Sequence, residues 1–271
     1  MDRAEKRLGA ALAAFALLLA GCPQKRVERP YPPPTAAALL AHLKARASRI
    51  ASVQAEAKVD YLADKGDRVK VGMTMLAEDP DHLRIEANSP FGGAVASLAT
   101  DGKQFQLLDA RNNRFLTGEA SPCNIARLIR VELRPADVAT VLEGAAPILD
   151  GDDVKAEAGW DGRDGGREVL TLRSPRFVET IELSAKDQRW DVLRAELKKA
   201  DGAIEWRLTN TDFVEVGPEQ MPARTTIEQP VRGVDVRIRY KERVINLTPP
   251  ATAFRIEPPA GLPVEQVSCE P

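Results

Sequence analysis

The sequence predicts a mainly β (α+β) protein, one highly curved antiparallel sheet with a few helices on its concave side. Three observations carry this. Short runs alternate apolar and polar residues along most of the chain. Turn strings such as AEDPD, TDGK and DARNN separate them. Helical spacing occurs in only two places, before the first run and near the middle. Too few helices alternate with strands for a parallel sheet.

The chain opens with Arg3, Lys6 and Arg7, diluted by Asp2 and Glu5, and then an uncharged apolar run over 8–20. That run has the length of a signal-peptide core and is too short for a comfortable membrane span. Leu19, Ala20, Gly21 and Cys22 resemble the bacterial lipobox. The resemblance implies cleavage before Cys22 and acylation of its thiol; the alternative is a plain secretory signal with an accidental cysteine. Residues 22–35, with five prolines in PQKRVERPYPPPT, read as an extended tether. At about 3.1 Å per residue it would reach roughly 40 Å. Residues 36–271 form the globular body.

Thr35 N-caps a predicted helix over 36–51, with Leu39, Leu40, Leu43, Ala47 and Ile50 at helical spacing. From Val53 the period becomes two. In RVKVGMTML, Val69, Val71, Met73 and Met75 share one face and Lys70 and Thr74 the other; Leu83, Ile85 and Ala87 repeat the pattern. Further strands are read over 95–100, 104–109 and 113–117, a meander with one apolar face. Ser121 and Pro122 look like N-cap and N1 of a helix lined by Ile125, Leu128 and Ile129. Pro135 starts another, with Val138, Val141 and Leu142 inward and Gly144 as its stop. Strands then resume over 154–160, 168–173, 177–184, 189–199, 203–213, 223–229 and 233–246.

Removing residues 1–21 leaves 271 − 21 = 250 residues with 35 basic and 38 acidic side chains, a net charge of −3. Without a concentrated basic patch, nothing points to nucleic acid. Cys123 and Cys269 are an even pair in an exported chain, hence a candidate disulfide; the alternative is two unrelated thiols. No HExxH, CxxC or GxSxG pattern occurs, so no catalytic residue, metal site or cofactor is expected. The acidic string LDGDD reads as a turn. In NSPFGG, Pro90, Gly92 and Gly93 make a turn, and Phe91 sits at its tip. The ring either folds back into the core or enters something apolar outside the protein.

The stretch from Asp79 to Pro147 resembles the LolB/LolA lipoprotein-localisation family. Pro80, Leu83, Arg84 and Ile85 lead into Ser89-Pro90-Phe91-Gly92. Asp101-Gly102 and Gln106-Leu107-Leu108-Asp109 follow, and Val141-Leu142-Glu143-Gly144 with Pro147 closes the second helix. The tail AFRIEPPAGLPVE is similar to the family's C-terminal pattern. The resemblance implies an unclosed antiparallel β-barrel with an N-terminal helix and a central two-helix lid over an apolar cavity that receives lipoprotein acyl chains. The walls would be Val69, Val71, Met73, Leu83 and Ile85, or their opposite-face partners, with Ile125, Leu128, Val138 and Leu142 from the lid. Pro90, Phe91 and Gly92 would form a membrane-insertion loop, with Phe91 standing where the family has Leu. The lipid on Cys22 favours the LolB type: an outer-membrane lipoprotein that takes acylated lipoprotein cargo from a LolA-like carrier and inserts it into that membrane. Pro23 after Cys22, with no Asp to signal inner-membrane retention, is consistent with outer-membrane sorting. The longer chain and the cysteine pair depart from the family pattern. The alternatives are an anchored protein of the same fold binding another lipid, and a structural subunit of an envelope complex.

Overall fold

A computed structural model describes residues 26–62, 66, 68–78, 80–250 and 252–269. Cys22 and the signal segment lie outside these residues. The body is a single 14-stranded sheet. The first half is a meander of β1 (Ser52–Leu62), β2 (Arg68–Glu78), β3 (His82–Asn88), β4 (Ala94–Asp101), β5 (Gln104–Asp109) and β6 (Arg114–Glu119). The second runs through β7 (Lys155–Asp161), β8 (Arg167–Arg173), β9 (Phe177–Ser184), β10 (Val192–Lys199), β11 (Ile204–Val216), β12 (Glu219–Gln229) and β13 (Val234–Ile245). The halves join where β1 pairs antiparallel with β13, so β7 ends at one edge of the sheet and β6 lies near the other. Beyond β6 the short β14 (Val264–Gln266) adds in parallel.

This order dictates the helices. The chain leaves β6 near one edge and must re-enter at β7, at the other. It crosses the apolar face as α2 (Pro122–Ile129) and α3 (Pro135–Leu142), after the earlier α1 (Ala36–Ala47). Leu39 and Leu43 of α1, Ile125 and Leu128 of α2, and Val138 and Leu142 of α3 share one core with Val53, Met75, Leu83, Ile85 and Leu170. The helix expected to reach residue 51 stops at Ala47. The Asn246 side chain accepts from the Ala51 amide at 2.8 Å and donates to the Arg49 carbonyl at 2.9 Å, which turns the backbone into β1.

The tail after β13 covers the opposite face of β4–β6. Ile256 packs with Ala99 and Phe115 there, so β4 is buried on both faces over Ser97–Thr100. The fit is close: a Cβ on Gly118 would stand 2.2 Å from the Val267 carbonyl. Cys269, at the end of this strap, is disulfide-bonded to Cys123 in the first turn of α2, with Cα atoms 6.3 Å apart.

The proline-rich segment differs from a free tether, because from Val27 onward it is docked. The Val27 amide donates to the Gly162 carbonyl at 2.8 Å, and Trp160 Nε1 donates to the Val27 carbonyl at 2.9 Å. Glu168 supplies the reason. Its side chain is fully buried, an expensive place for a carboxylate, and Arg29 meets both of its oxygens, at 2.8 and 2.9 Å. Replacing Arg29 by Ala strands that charge, and we expect a loss of about 3 kcal/mol or more. Breaking the exposed Arg114–Glu265 pair by Arg114→Ala should cost under about 1 kcal/mol. Urea denaturation of the two variants measures both, and equal small losses would mean that the segment is not held by this contact.

Candidate functional site

The register of the strands defines two ends of the barrel. At one end Tyr61 opposes both Val69 and Val236, Asn88 opposes Gly72, and the β5–β6 turn begins at Asp109. The helices α2 and α3 form a hairpin on the inner face. The first runs toward this end and the second runs back, so the break between them, 130–134, lies at the same end. Here the inner face is not filled. An open cavity of about 1490 Å³ lies here, with the nearly buried Val59, Met73, Ala87, Leu107 and Leu128 at its floor, Val71, Tyr61 and Val69 toward the rim, and charged side chains such as Lys70, Arg111, Arg127 and Arg130 sharing its lining. Val69, on the same face as buried Met73 and Met75, is exposed.

The expected wall residues divide accordingly. Val69, Val71, Met73 and Leu128 line the cavity. Leu83, Ile85, Ile125, Val138 and Leu142 are buried in the packed core at the other end. The five from the strands and the four from the lid face each other across the core, and Met73 and Leu128 border both core and cavity.

The closed end fixes the lid. Arg46, almost wholly buried, donates to the Glu143 carbonyl at 3.0 Å and to Gln220 O at 3.1 Å. Asn210 donates to the Gly144 carbonyl at 3.2 Å and accepts from Thr225 Oγ1 at 2.8 Å. Arg243 donates to the Leu142 carbonyl at 3.4 Å and to the Pro222 carbonyl. These donors satisfy carbonyls that the end of α3 leaves unpaired, and the cations oppose its negative pole. Burial lowers the pKa of Arg46 and Arg243, while the nearby Asp191, Glu219 and Glu143 raise that of Arg46. At the start of α2, Asn124 Nδ2 donates to the Glu119 carbonyl at 2.9 Å beside the disulfide. The lid is thus pinned at both roots, and its apex stands at the mouth.

Beside the mouth, Pro90, Phe91 and Gly92 occupy the β3–β4 turn, whose Ser89 and Pro90 touch the cavity. The Ser89 amide donates to the Gly93 carbonyl at 2.9 Å, and Gly92 and Gly93 take φ of +94° and +78°, conformations that suit glycine. Phe91 is 99% exposed, so the ring does not fold back into the core. Arg127 and Arg130, on the lid, also line the cavity. Sequence reading missed them because α2 was assigned by its apolar stripe.

Glu179 is another group that was not singled out. It lies on the inner face of β9, fully buried, and accepts from the Leu149 amide at 2.6 Å in the link between α3 and β7. Its other oxygen has no hydrogen-bond partner. Burial pushes its pKa up to about 8, the Leu149 hydrogen bond opposing and Asp137 adding to the rise.

No protein-family model and no curated protein matches this chain in sequence. Solved structures do match its fold. A DUF1329 family protein from Desulfovibrio piger superposes over 81% of this chain and 95% of its own, with TM-score 0.61 and 12% identity. A LolA superfamily protein from Nitrosomonas europaea covers 82% and 98%, with TM-score 0.57 and 12% identity. A domain from Vibrio parahaemolyticus attributed to outer-membrane lipoprotein sorting covers 81% and 97%, with TM-score 0.56 and 11% identity. The fold is therefore LolA-like, an unclosed sheet with few helices; identities this low speak for the fold alone.

The Glu179 site yields a pH dependence with a definite sign. Between pH about 4.5 and about 8 the folded protein holds a proton there that the unfolded chain releases. Stability is then fully present below the unfolded pKa and falls as pH rises through that window, by on the order of 4–5 kcal/mol if the whole shift is expressed. Glu179→Gln, neutral at every pH, should flatten this slope. Equilibrium unfolding across the window measures it, and identical slopes in the two proteins would contradict the assignment.

Proposed function

We propose that this protein is an envelope lipoprotein that holds lipoprotein acyl chains in its cavity and inserts them into the outer membrane. On this reading Cys22 carries the anchoring lipid, a LolA-like carrier delivers the cargo, and the protein acts by binding, with no catalytic centre. The observation that carries it is the apolar inner face left open at the mouth, beside a turn that holds a fully exposed phenylalanine. The cavity exceeds the ~300–1,000 Å³ common for small-molecule sites, which suits long alkyl chains. Folding gains nothing from an exposed Phe, whereas burying it in an apolar medium is worth about 1.5–3 kcal/mol. The sorting role attributed to the Vibrio domain, which shares the fold, supports the same reading, as does the lipobox at Leu19–Cys22.

A second reading, an anchored protein of the same fold that binds a different lipid, is favoured by Arg127 and Arg130 at the cavity, which suit an anionic head group. The two readings share the cavity and differ in cargo.

The test is transfer of an acylated lipoprotein from a carrier to vesicles. Phe91→Glu should change stability by no more than about 0.5 kcal/mol, because the ring touches little in the folded state. It should cut transfer about tenfold or more, because a charge cannot enter the bilayer cheaply. Undiminished transfer by a folded Phe91→Glu variant would overturn the insertion role.

A further inference from the structure

We propose that the turn carrying Val231 is a second membrane-contact point. With Phe91 and the cations Lys70, Arg111 and Arg130, it seats the cavity mouth on an anionic bilayer. This rests on the reading above, in which the cavity empties into a membrane, and adds which surface makes the contact and which lipid it selects.

The apolar evidence lies in how exposure is distributed. Among the described residues eight large apolar side chains are exposed, and four of them, Leu62, Val69, Phe91 and Val231, sit at the mouth. Register places them together. Gln229 opposes Val234 across the β12–β13 turn, and Val236, two residues further, opposes Tyr61, whose neighbour Leu62 pairs with Arg68 at the start of β2. The Phe91 turn follows Asn88, level with Gly72 and heading toward Val69. Four strand spacings of about 4.8 Å separate the two turns, so Phe91 and Val231 stand roughly 19 Å apart along the sheet. Two separated wedges define an orientation that one does not.

Val231 is 69% exposed, yet its turn is held firmly. The Gly233 amide closes it onto the Pro230 carbonyl at 3.2 Å. The buried Gln229 clasps the lid break: its Nε2 donates to the Glu132 carbonyl and its Oε1 accepts from the Glu132 amide, both at 3.0 Å. Arg232 pairs with the Glu132 carboxylate at 2.7 Å. An apolar side chain is thus held out into water on a rigid support, presented in advance and not waiting to be ordered. Because the clasp joins it to the lid apex, whatever Val231 touches also bears on the lid.

Charge selects the occupant. Around this end Arg68 and Arg237 are neutralised by Asp60 and Asp235, and Arg232 by Glu132. Lys70, Arg111 and Arg130 are exposed and have no ion-pair partner among the described residues. The chain as a whole is acidic, with net charge −2, so the attraction belongs to the mouth. Cations interspersed with apolar tips match the head-group layer of an anionic membrane.

The experiment uses the full chain carrying Val231→Trp or Phe91→Trp, mixed with vesicles whose acyl chains are brominated. One set is phosphatidylcholine and the other contains phosphatidylglycerol. Bromine quenches a tryptophan that enters the bilayer. We expect Val231→Trp to be quenched at least half as strongly as Phe91→Trp on anionic vesicles, beyond the background of the unsubstituted chain. Adding Arg111→Glu and Arg130→Glu should weaken anionic-vesicle binding about tenfold or more. Quenching of Phe91→Trp alone would overturn the second contact while leaving the insertion loop standing. No quenching at either site would overturn both. Equal quenching on neutral vesicles, insensitive to charge reversal, would overturn the anionic selection. Protection of Val231→Trp by a carrier protein and not by vesicles would show the turn to be a protein contact, which also overturns the proposal.

Discussion

The architecture depends on one topological constraint. β6 and β7 follow each other in sequence but lie at opposite sides of the sheet, so residues 120–154 have to traverse the apolar face. A chain crossing such a face must satisfy its own backbone groups, and two short helices do that. Their ends are where the remaining polar groups collect. Arg46, Asn210 and Arg243 take the carbonyls at the end of α3, and the Cys123–Cys269 bond ties the beginning of α2 to the tail strap. The same crossing closes the core at one end and turns back at the other, where Gln229 and Arg232 hold Glu132 of the break between the helices. The cavity lies between the sheet and the apex of the lid, where Arg127, Leu128 and Arg130 share its lining.

That asymmetry gives the two ends different physics. At the closed end apolar side chains pack together and the buried polar groups Arg46 and Asn210 are matched to carbonyls at the end of the lid. At the open end Val69, Phe91 and Val231 remain in water. A monomeric soluble surface seldom gathers apolar side chains without a use for them. The lid is pinned at its roots and clasped at its apex by Gln229 and Arg232.

Much of the fold was legible because strands with one buried face write a period of two, and because turn chemistry is local. Pro122 and Pro135 marked the starts of α2 and α3, and Thr35 the start of α1, where its hydroxyl accepts from Ala38. Position along the barrel was not legible. Val69 and Leu83 carry the same alternation, yet one is exposed at the mouth and the other is core. Long-range pairing was equally hidden. The proline-rich segment reads as an extended tether, but it bends at Pro30 and Tyr31, and the partner that docks it, Glu168, is 139 residues away. Val231 drew no attention in sequence because a single valine beside a proline is ordinary; its exposure on a clasped turn is a tertiary fact.

The central claim is that the open end of the barrel holds an apolar ligand. Native mass spectrometry of the protein released gently from membranes, alongside a cavity-filling Val71→Trp variant, tests it most directly. The account predicts an acyl-bearing mass bound to the unsubstituted protein and its loss from the folded variant, because the indole would occupy the space that the ligand needs. An unsubstituted protein without bound lipid that also takes up no added acylated ligand, or a Val71→Trp variant that retains the same ligand, would contradict it.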